Sequence, residues 1–238
     1  VLDSEKRQQE QYDAIIDDYE SHYSDAHSLL YREEFINERL TAGLDLRGKK
    51  VLEAMCGGGP TTPHLLSRGA RVTGLDISPK CVETFRSAHP DCEALCGSIS
   101  ETGLPNASFD AVVVVGGLHH LHPGLDAAMA ELHRILKPGG HLCFAEASAG
   151  SLLNAARSLW YKIDPLFEKN ERPIALEELR AANEARFDFV SSSYHGNIAY
   201  LLVFNSMVFR VPKRLKAWYS PFLLRVERGL QGLFSTER

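Results

Sequence analysis

Val51-Leu-Glu-Ala-Met-Cys-Gly-Gly-Gly-Pro60 decides the fold. Lys50–Met55 reads as a buried strand that carries an acid, Glu53, near its end and runs into a glycine-rich turn. A helix-compatible stretch follows over about 61–68, and then Arg71–Leu75 reads as a second apolar strand closed by Asp76. Strand, glycine turn, helix, strand and terminal acid form the half-unit by which a doubly wound α/β fold binds an adenosine-containing cofactor. Glycines let the backbone approach the ligand, and the acid takes the ribose hydroxyls. A dinucleotide site asks for Gly-x-Gly-x-x-Gly at this turn. Here Gly57, Gly58 and Gly59 are followed by Pro60 with no glycine three residues on.

The alternation continues outward. Ser78-Pro79 starts a helix with an N-cap residue and a proline at its first position. Cys92–Cys96 is the third strand, and Phe109–Val115 is a Val-rich fourth strand of the kind buried on both faces. Pro123–Leu136 is a helix closed by Lys137-Pro-Gly-Gly140, and His141–Glu146 is the fifth strand. Ala175–Ala185 is a helix, and Phe187–Ser193 and Ile198–Phe204 read as the last two strands. The expectation is a Rossmann-like, mostly parallel, seven-stranded sheet covered on both faces. One domain spans 1–238: a polar helical cover over 1–40, a core over 48–147, an aromatic-rich lid over 148–173, the last helix and strands over 174–205, and a basic amphipathic tail over 206–238.

Four ordered segments resemble class I S-adenosylmethionine (SAM) methyltransferases, in the small-molecule group of the ubiquinone and menaquinone enzymes. They are the Glu53–Gly59 turn, Leu75-Asp-Ile-Ser78, Cys96–Ser100 through Leu104–Val113, and Glu131–Leu142. Met55 stands where the family usually has its first glycine, and Ser98 where it usually has Asp. The resemblance implies SAM as cofactor. Glu53 would help hold its amino group, Gly57 and Gly59 would lie against it, and Ser98 with Ile99 would stand near the adenine. It also implies that Tyr12 and Tyr19 lie on a segment folding over the sulfonium, where an aromatic face attracts a cation.

In open α/β sheets ligands bind beyond the carboxyl ends of the strands. That rule gathers Met55–Gly59, Asp76 with Ile77, Ser98 with Ile99, and Gly116 to His122 around one crevice. Asp76 offers an acceptor-only carboxylate for two vicinal hydroxyls. His119 and His120 follow the fourth strand, and histidine as a residue type can exchange a proton under physiological conditions, so either one is a candidate catalytic base or a packing element of the loop. They are adjacent and lack a carboxylate cluster, which argues against a metal. Glu146 faces either an acceptor pocket or loop hydrogen bonds. Tyr23, Trp160 and Tyr194 are candidates for that pocket, or else core residues.

Composition sets the outer bounds. The net charge of −5 in 238 residues argues against nucleic acid as the partner. The five cysteines are irregularly spaced, which fits buried thiols and a cytoplasmic protein. No basic-then-apolar leader is present and no run is long enough to span a bilayer. From Lys213 to Arg238 there are six basic and two acidic residues among apolar positions at helical spacing. That pattern fits either peripheral membrane contact over 213–234 or a helix packed on the domain. The expected function is methyl transfer to an O, N or C nucleophile of a hydrophobic or amphiphilic small molecule. The alternatives are a SAM-binding regulatory module without turnover and a nucleotide-dependent oxidoreductase.

Overall fold

The structure, a computed structural model, describes residues 6–10, 13, 14, 16, 22–148, 173–206, 211–234, 236 and 237. In chain order its elements are α1 (Ala26–Arg32), a π-helical turn (Glu33–Asn37) with a last α turn (Glu38–Leu40), β1 (Lys50–Ala54), α2 (Thr62–Ser67), β2 (Arg71–Asp76), α3 (Pro79–Ala88), β3 (Glu93–Cys96), β4 (Phe109–Val115), a 3-10 turn (Leu118–His120), α4 (Leu125–Ile135), β5 (Leu136–Ala145), α5 (Leu176–Asn183), β6 (Ser193–Tyr194), a second π-helical turn (Tyr200–Phe204), α6 (Lys213–Phe234) and β7 (Thr236–Glu237). They form two compact units, one of residues 1–14 with 44–189 and the other of 15–43 with 190–238.

Unit 1 holds a five-stranded sheet in the order β3-β2-β1-β4-β5, parallel throughout. The chain leaves β1 for β2 on one side and reaches β4 on the other, so the strand order reverses between β1 and β4. Strands that are buried on both faces must be apolar almost continuously, and Val51, Leu52, Val112, Val113 and Val114 are at most 1% exposed. Leu52, Val112, Val114, Leu118, Met129, Leu132 and Ile135 share one core cluster, which seats α4 on the sheet. Two points fix α3. Ser78 Oγ accepts from the Cys81 amide at 3.0 Å with Pro79 in the first turn. Gly74 lets Phe85 lie so close to β2 that an added Cβ would stand 2.7 Å from its ring.

The sheet departs from the expected seven strands. Lys137-Pro-Gly-Gly140 belongs to β5 rather than to the end of α4, and its register against β4 shifts between Phe109 and Ala111. Ile198–Phe204 is helical, not a strand. A continuous apolar run has no period that separates the two readings, and here a buried acid decides. Glu227 of α6, 0% exposed, accepts from the amides of Asn197 at 2.8 Å and Ala199 at 3.1 Å. A carboxylate on those otherwise orphan N–H groups favours a helical start. Phe187–Ser192 is irregular, and Ser193–Tyr194 pairs antiparallel with Thr236–Glu237 in a separate two-stranded ribbon.

Unit 2 is built on an aromatic core. Tyr31 stacks on Phe204 with ring centroids 5.4 Å apart, and Tyr23 meets Phe204 edge-on at 5.4 Å. The buried side of α6 is polar: Lys216, Ser220, Glu227 and Gln231 face inward with Leu224. Lys216 satisfies its ammonium with Asp25 Oδ2, Ser28 Oγ and the His22 carbonyl. Burial pushes the Lys216 pKa down while Asp25 holds it up. The opposite side of α6 exposes Leu215, Trp218 and Phe222, with Trp218 80% exposed.

Candidate active site

The site forms in unit 1 at the carboxyl ends of β1, β2, β4 and β5, around the switch point of the sheet. After β1 the backbone turns sharply, and Met55 and Gly57 take φ of 54° and 53°. A non-glycine residue in this region is strained by about 1–2 kcal/mol. The Met55 thioether occupies the space beside Gly117, where an added Cβ would meet Met55 Sδ at 2.6 Å.

The glycines of the turn have two different roles. A Cβ on Gly57 would meet no heavy atom within 4 Å, and the same holds for Gly116 (φ 70°) after β4. Open space over two left-handed glycines at a sheet switch point is what a close-lying ligand requires. Gly59 differs, because a Cβ there would strike Phe85 and His89 at 2.6–2.7 Å. His89 Nε2 donates to the Gly59 carbonyl at 3.0 Å. Gly59 is therefore needed for packing within the protein.

Two buried acids hold the turn. Glu53, 4% exposed, accepts from the Thr61 amide at 3.2 Å and from the Thr62 hydroxyl. Asp76, 9% exposed, accepts from the Gly57 amide at 2.9 Å and from the Ser78 amide at 2.9 Å, one on each oxygen. A carboxylate has about four lone-pair sites, so both oxygens keep capacity for two ligand hydroxyls. Burial raises the Asp76 pKa, against the lowering effect of those amides. Ser78, not Asp76, caps α3, and its hydroxyl donates to Asp13. Asp13 is a neighbour that the sequence pattern did not indicate. Ile77 is half-buried beside Asp76, and Ile99 is 4% exposed in the core. Ser98 Oγ accepts from the Ser100 amide at 3.0 Å and shapes the turn after β3.

Glu146, just beyond β5, joins the other half of the site. Its Oε1 accepts from the amides of Gly117 at 2.8 Å and Leu118 at 2.7 Å, and its Oε2 lies 2.8 Å from His119 Nδ1. The carboxylate is 3% exposed, so these bonds form in a low dielectric. Of the two readings of Glu146, loop hydrogen bonding is the one observed. An ionised carboxylate has no proton to give, so Nδ1 of His119 carries the hydrogen and Nε2 is left as the acceptor. The His120 ring lies against that of His119, with centroids 4.0 Å apart.

The aromatic candidates divide differently. Tyr23 belongs to the core of unit 2, where its hydroxyl donates to Asn205 at 3.3 Å. Tyr194 is exposed on β6 of that unit. Tyr12, Tyr19, Trp160 and most of the 148–173 segment lie outside the described residues.

A parallel doubly wound sheet with an acid-held glycine turn at its switch point defines an adenosine-cofactor α/β protein. The comparisons narrow the class. Residues 52–144 match the methyltransferase domain family. The malonyl-[acyl-carrier protein] O-methyltransferase of Serratia marcescens is 33% identical over 141 residues, covering 59% of this chain and 54% of that protein. The fatty-acid O-methyltransferase of Mycolicibacterium smegmatis is 34% identical over 110 residues, covering 44% of this chain and 40% of that protein. The chain thus matches about half, or less, of the length of these relatives. In fold it is similar to a SAM-dependent methyltransferase of Thermotoga maritima, with a TM-score of 0.62 and 21% identity over 77% of this chain and 83% of that one. Over residues 52–144 the chain is thus similar in sequence to the methyltransferase domain, and in fold to a protein that uses S-adenosylmethionine. The residues present fit that cofactor: two open left-handed glycines, and a buried acid with acceptor capacity left.

Proposed function

We propose that this chain transfers a methyl group from SAM to an O, N or C nucleophile of a hydrophobic or amphiphilic small molecule. The observation that carries the reading is the pairing of Asp76 and the open Gly57 at one side of the switch point with the Glu146-held His119 at the other. SAM supplies a methyl group already activated by its sulfonium, so the protein's share is positioning and proton handling. Asp76 takes the ribose hydroxyls. Glu53 stiffens the turn through Thr61 and Thr62 and stands near the amino-acid end. His119 Nε2 removes the proton of an acceptor that arrives protonated, and Glu146 stabilises the imidazolium that results. His120 packs on that ring and keeps its plane. Ser98 and Ile99 would border the adenine, and Gly116 leaves room on the β4 side.

An oxygen nucleophile is favoured because both curated relatives named above are O-methyltransferases, one for a fatty acid and one for a malonyl carrier. The apolar 148–173 segment, Trp160 within it, and the exposed Leu215, Trp218 and Phe222 of α6 suit an amphiphilic acceptor met at a lipid surface. Among the described residues no helix is long and apolar enough to cross a membrane. The direct test incubates the chain with methyl-deuterated SAM and fractionated metabolite and lipid extracts, followed by mass spectrometry. A labelled methyl ester or methyl ether of an acidic or hydroxylated lipid-like acceptor is expected. Tight SAM binding with no labelled product in any fraction would reduce the chain to a SAM-binding module.

A further inference from the structure

Among the described residues of unit 2, Arg39 is a cation with no acid partner. Arg39 lies in the α turn that ends the first helical segment, one turn beyond Phe35 of the aromatic core. Its Nη2 donates to Gln231 Oε1, and its Nη1 faces His195 Nε2 at 3.5 Å. Among the described residues it bonds only to these neutral groups. Glu227, one turn before Gln231 on α6, is committed to the Asn197 amide, the Asn197 side chain and the Ala199 amide. Ser193 Oγ lies 2.5 Å from the same His195 Nε2. With Nε2 accepting, Nδ1 carries the hydrogen. Burial, assisted by Arg39, lowers the His195 pKa to about 4, so the ring is neutral near pH 7.

Two donors beside this guanidinium, Arg39 Nε and Gln231 Nε2, are buried with no hydrogen-bond partner, as is the ring nitrogen His195 Nδ1. Gln231 is 7% exposed, so its amide is shielded from bulk solvent. A buried donor left unpaired costs its full desolvation, and a cluster of them around one unpaired cation is the complement of an acceptor-only anion. We propose that Arg39, with Gln231 and His195, forms a carboxylate-recognition site for an aliphatic acid. A carboxylate accepts at every lone pair and matches the guanidinium fork. One positive charge balances a monocarboxylate and under-balances a phosphate dianion. The aromatic core of Tyr31, Phe35, Tyr200 and Phe204 beside it favours an apolar chain on the acid. The site lies wholly within unit 2 and stands independently of the proposed function.

The test is calorimetric titration of the full chain with decanoate, decanol and inorganic phosphate, with S-adenosylhomocysteine titrated in parallel. Decanoate should bind at least tenfold more tightly than either of the others. Arg39→Gln should weaken decanoate at least tenfold. Gln231→Glu, which places a tethered carboxylate on Arg39, should do the same while raising the melting temperature, so one variant keeps the test meaningful if the other fails to fold. Equal affinity for decanoate and decanol, phosphate binding as tight as decanoate, or unchanged decanoate affinity in the folded variants would overturn the assignment. Loss of S-adenosylhomocysteine binding to the wild-type chain would instead strike the proposed function and leave this site standing.

Discussion

Glu146→Gln separates orientation of His119 from simple support of its loop. The amide oxygen of glutamine can still accept from Gly117 and Leu118, while its NH2 group faces His119 Nδ1. A donor there forces the imidazole to accept at Nδ1 and carry its hydrogen on Nε2, so the nitrogen left to the acceptor is no longer a base. The stability cost follows from the bonds. Two amide bonds to a charged oxygen become bonds to a neutral one, each losing about 1 kcal/mol, or about 2 kcal/mol together. Little solvent discount applies, because the carboxylate is 3% exposed. The catalytic cost is larger. Loss of a positioned base lowers turnover by about 10²–10⁴-fold, whereas affinity for S-adenosylhomocysteine should change less than about threefold, since Asp76 and Gly57 are untouched. Nitrogen-15 NMR of the histidine rings reads the tautomer directly, with the His119 proton on Nδ1 in the wild type and on Nε2 in the variant. Single-turnover methyl transfer to the acceptor found by extract labelling reads the rate. If the folded variant keeps the wild-type tautomer, or keeps wild-type turnover across pH 6–9, Glu146 does not orient a base and His119 is a loop residue.

Asp76→Ala should weaken S-adenosylhomocysteine binding by about 1.5–3 kcal/mol, as charge-assisted bonds to the ribose are lost; unchanged affinity by calorimetry would remove Asp76 from the cofactor site. Because burial raises the Asp76 pKa in the free protein, added hydroxyl donors should lower it on binding. Cofactor affinity should then be constant above that raised pKa and fall as pH drops through it, with proton release visible in calorimetry across buffers of different ionisation enthalpy. Gly57→Ala should cost cofactor affinity more than tenfold, with only about 1–2 kcal/mol of strain, whereas Gly59→Ala should lower the melting temperature because its Cβ meets Phe85 and His89; equal behaviour of the two would contradict their assigned roles. Arg134 holds the Glu131 carboxyl down at about 2 with help from Thr102, which gives stability that is present above the unfolded value near 4.5 and is lost as pH falls through about 2. Arg134 is 35% exposed, so screening leaves about 1–2 kcal/mol, and the denaturation difference between wild type and Glu131→Gln should shrink toward pH 2. On anionic liposomes the chain should float at low salt, and Trp218→Ala should reduce flotation; no flotation of the wild type would leave the exposed face of α6 without a membrane role.

The cofactor half of the site was legible because each part has a local chemical signature. Gly57, Asp76 and the Ser78-Pro79 helix start announce themselves within a few residues, and strands buried on both faces spell out unbroken Val and Leu. What was hidden depends on residues far apart in sequence. Glu146 and His119 are separated by a helix and a strand, and nothing in either segment says that one fixes the tautomer of the other. The two roles of Gly57 and Gly59 look alike in sequence, because only the fold brings Phe85 and His89 against one of them.

The largest misreading, Ile198–Phe204 as a strand, has the same root. Its seven apolar residues satisfy a buried strand and a buried helix equally, and the deciding group is the carboxylate of Glu227, thirty residues after Asn197. That acid sits on the side of α6 that a purely hydrophobic reading would turn to solvent. A helix that buries Lys216, Ser220, Glu227 and Gln231 and exposes Leu215, Trp218 and Phe222 inverts the usual amphipathic rule. Inward, each buried polar group but one edge has a partner: Lys216 on Asp25, Glu227 on the start of the π-helical turn. Gln231 is that edge, since it holds Arg39 and still leaves an amide unanswered. Outward, the apolar stripe has nothing on it among the described residues. An inverted helix is stable in water only when its inward face is satisfied by specific partners, and its two unsatisfied features, the Arg39 cluster and the Trp218 stripe, call for an acid head and an apolar surface respectively.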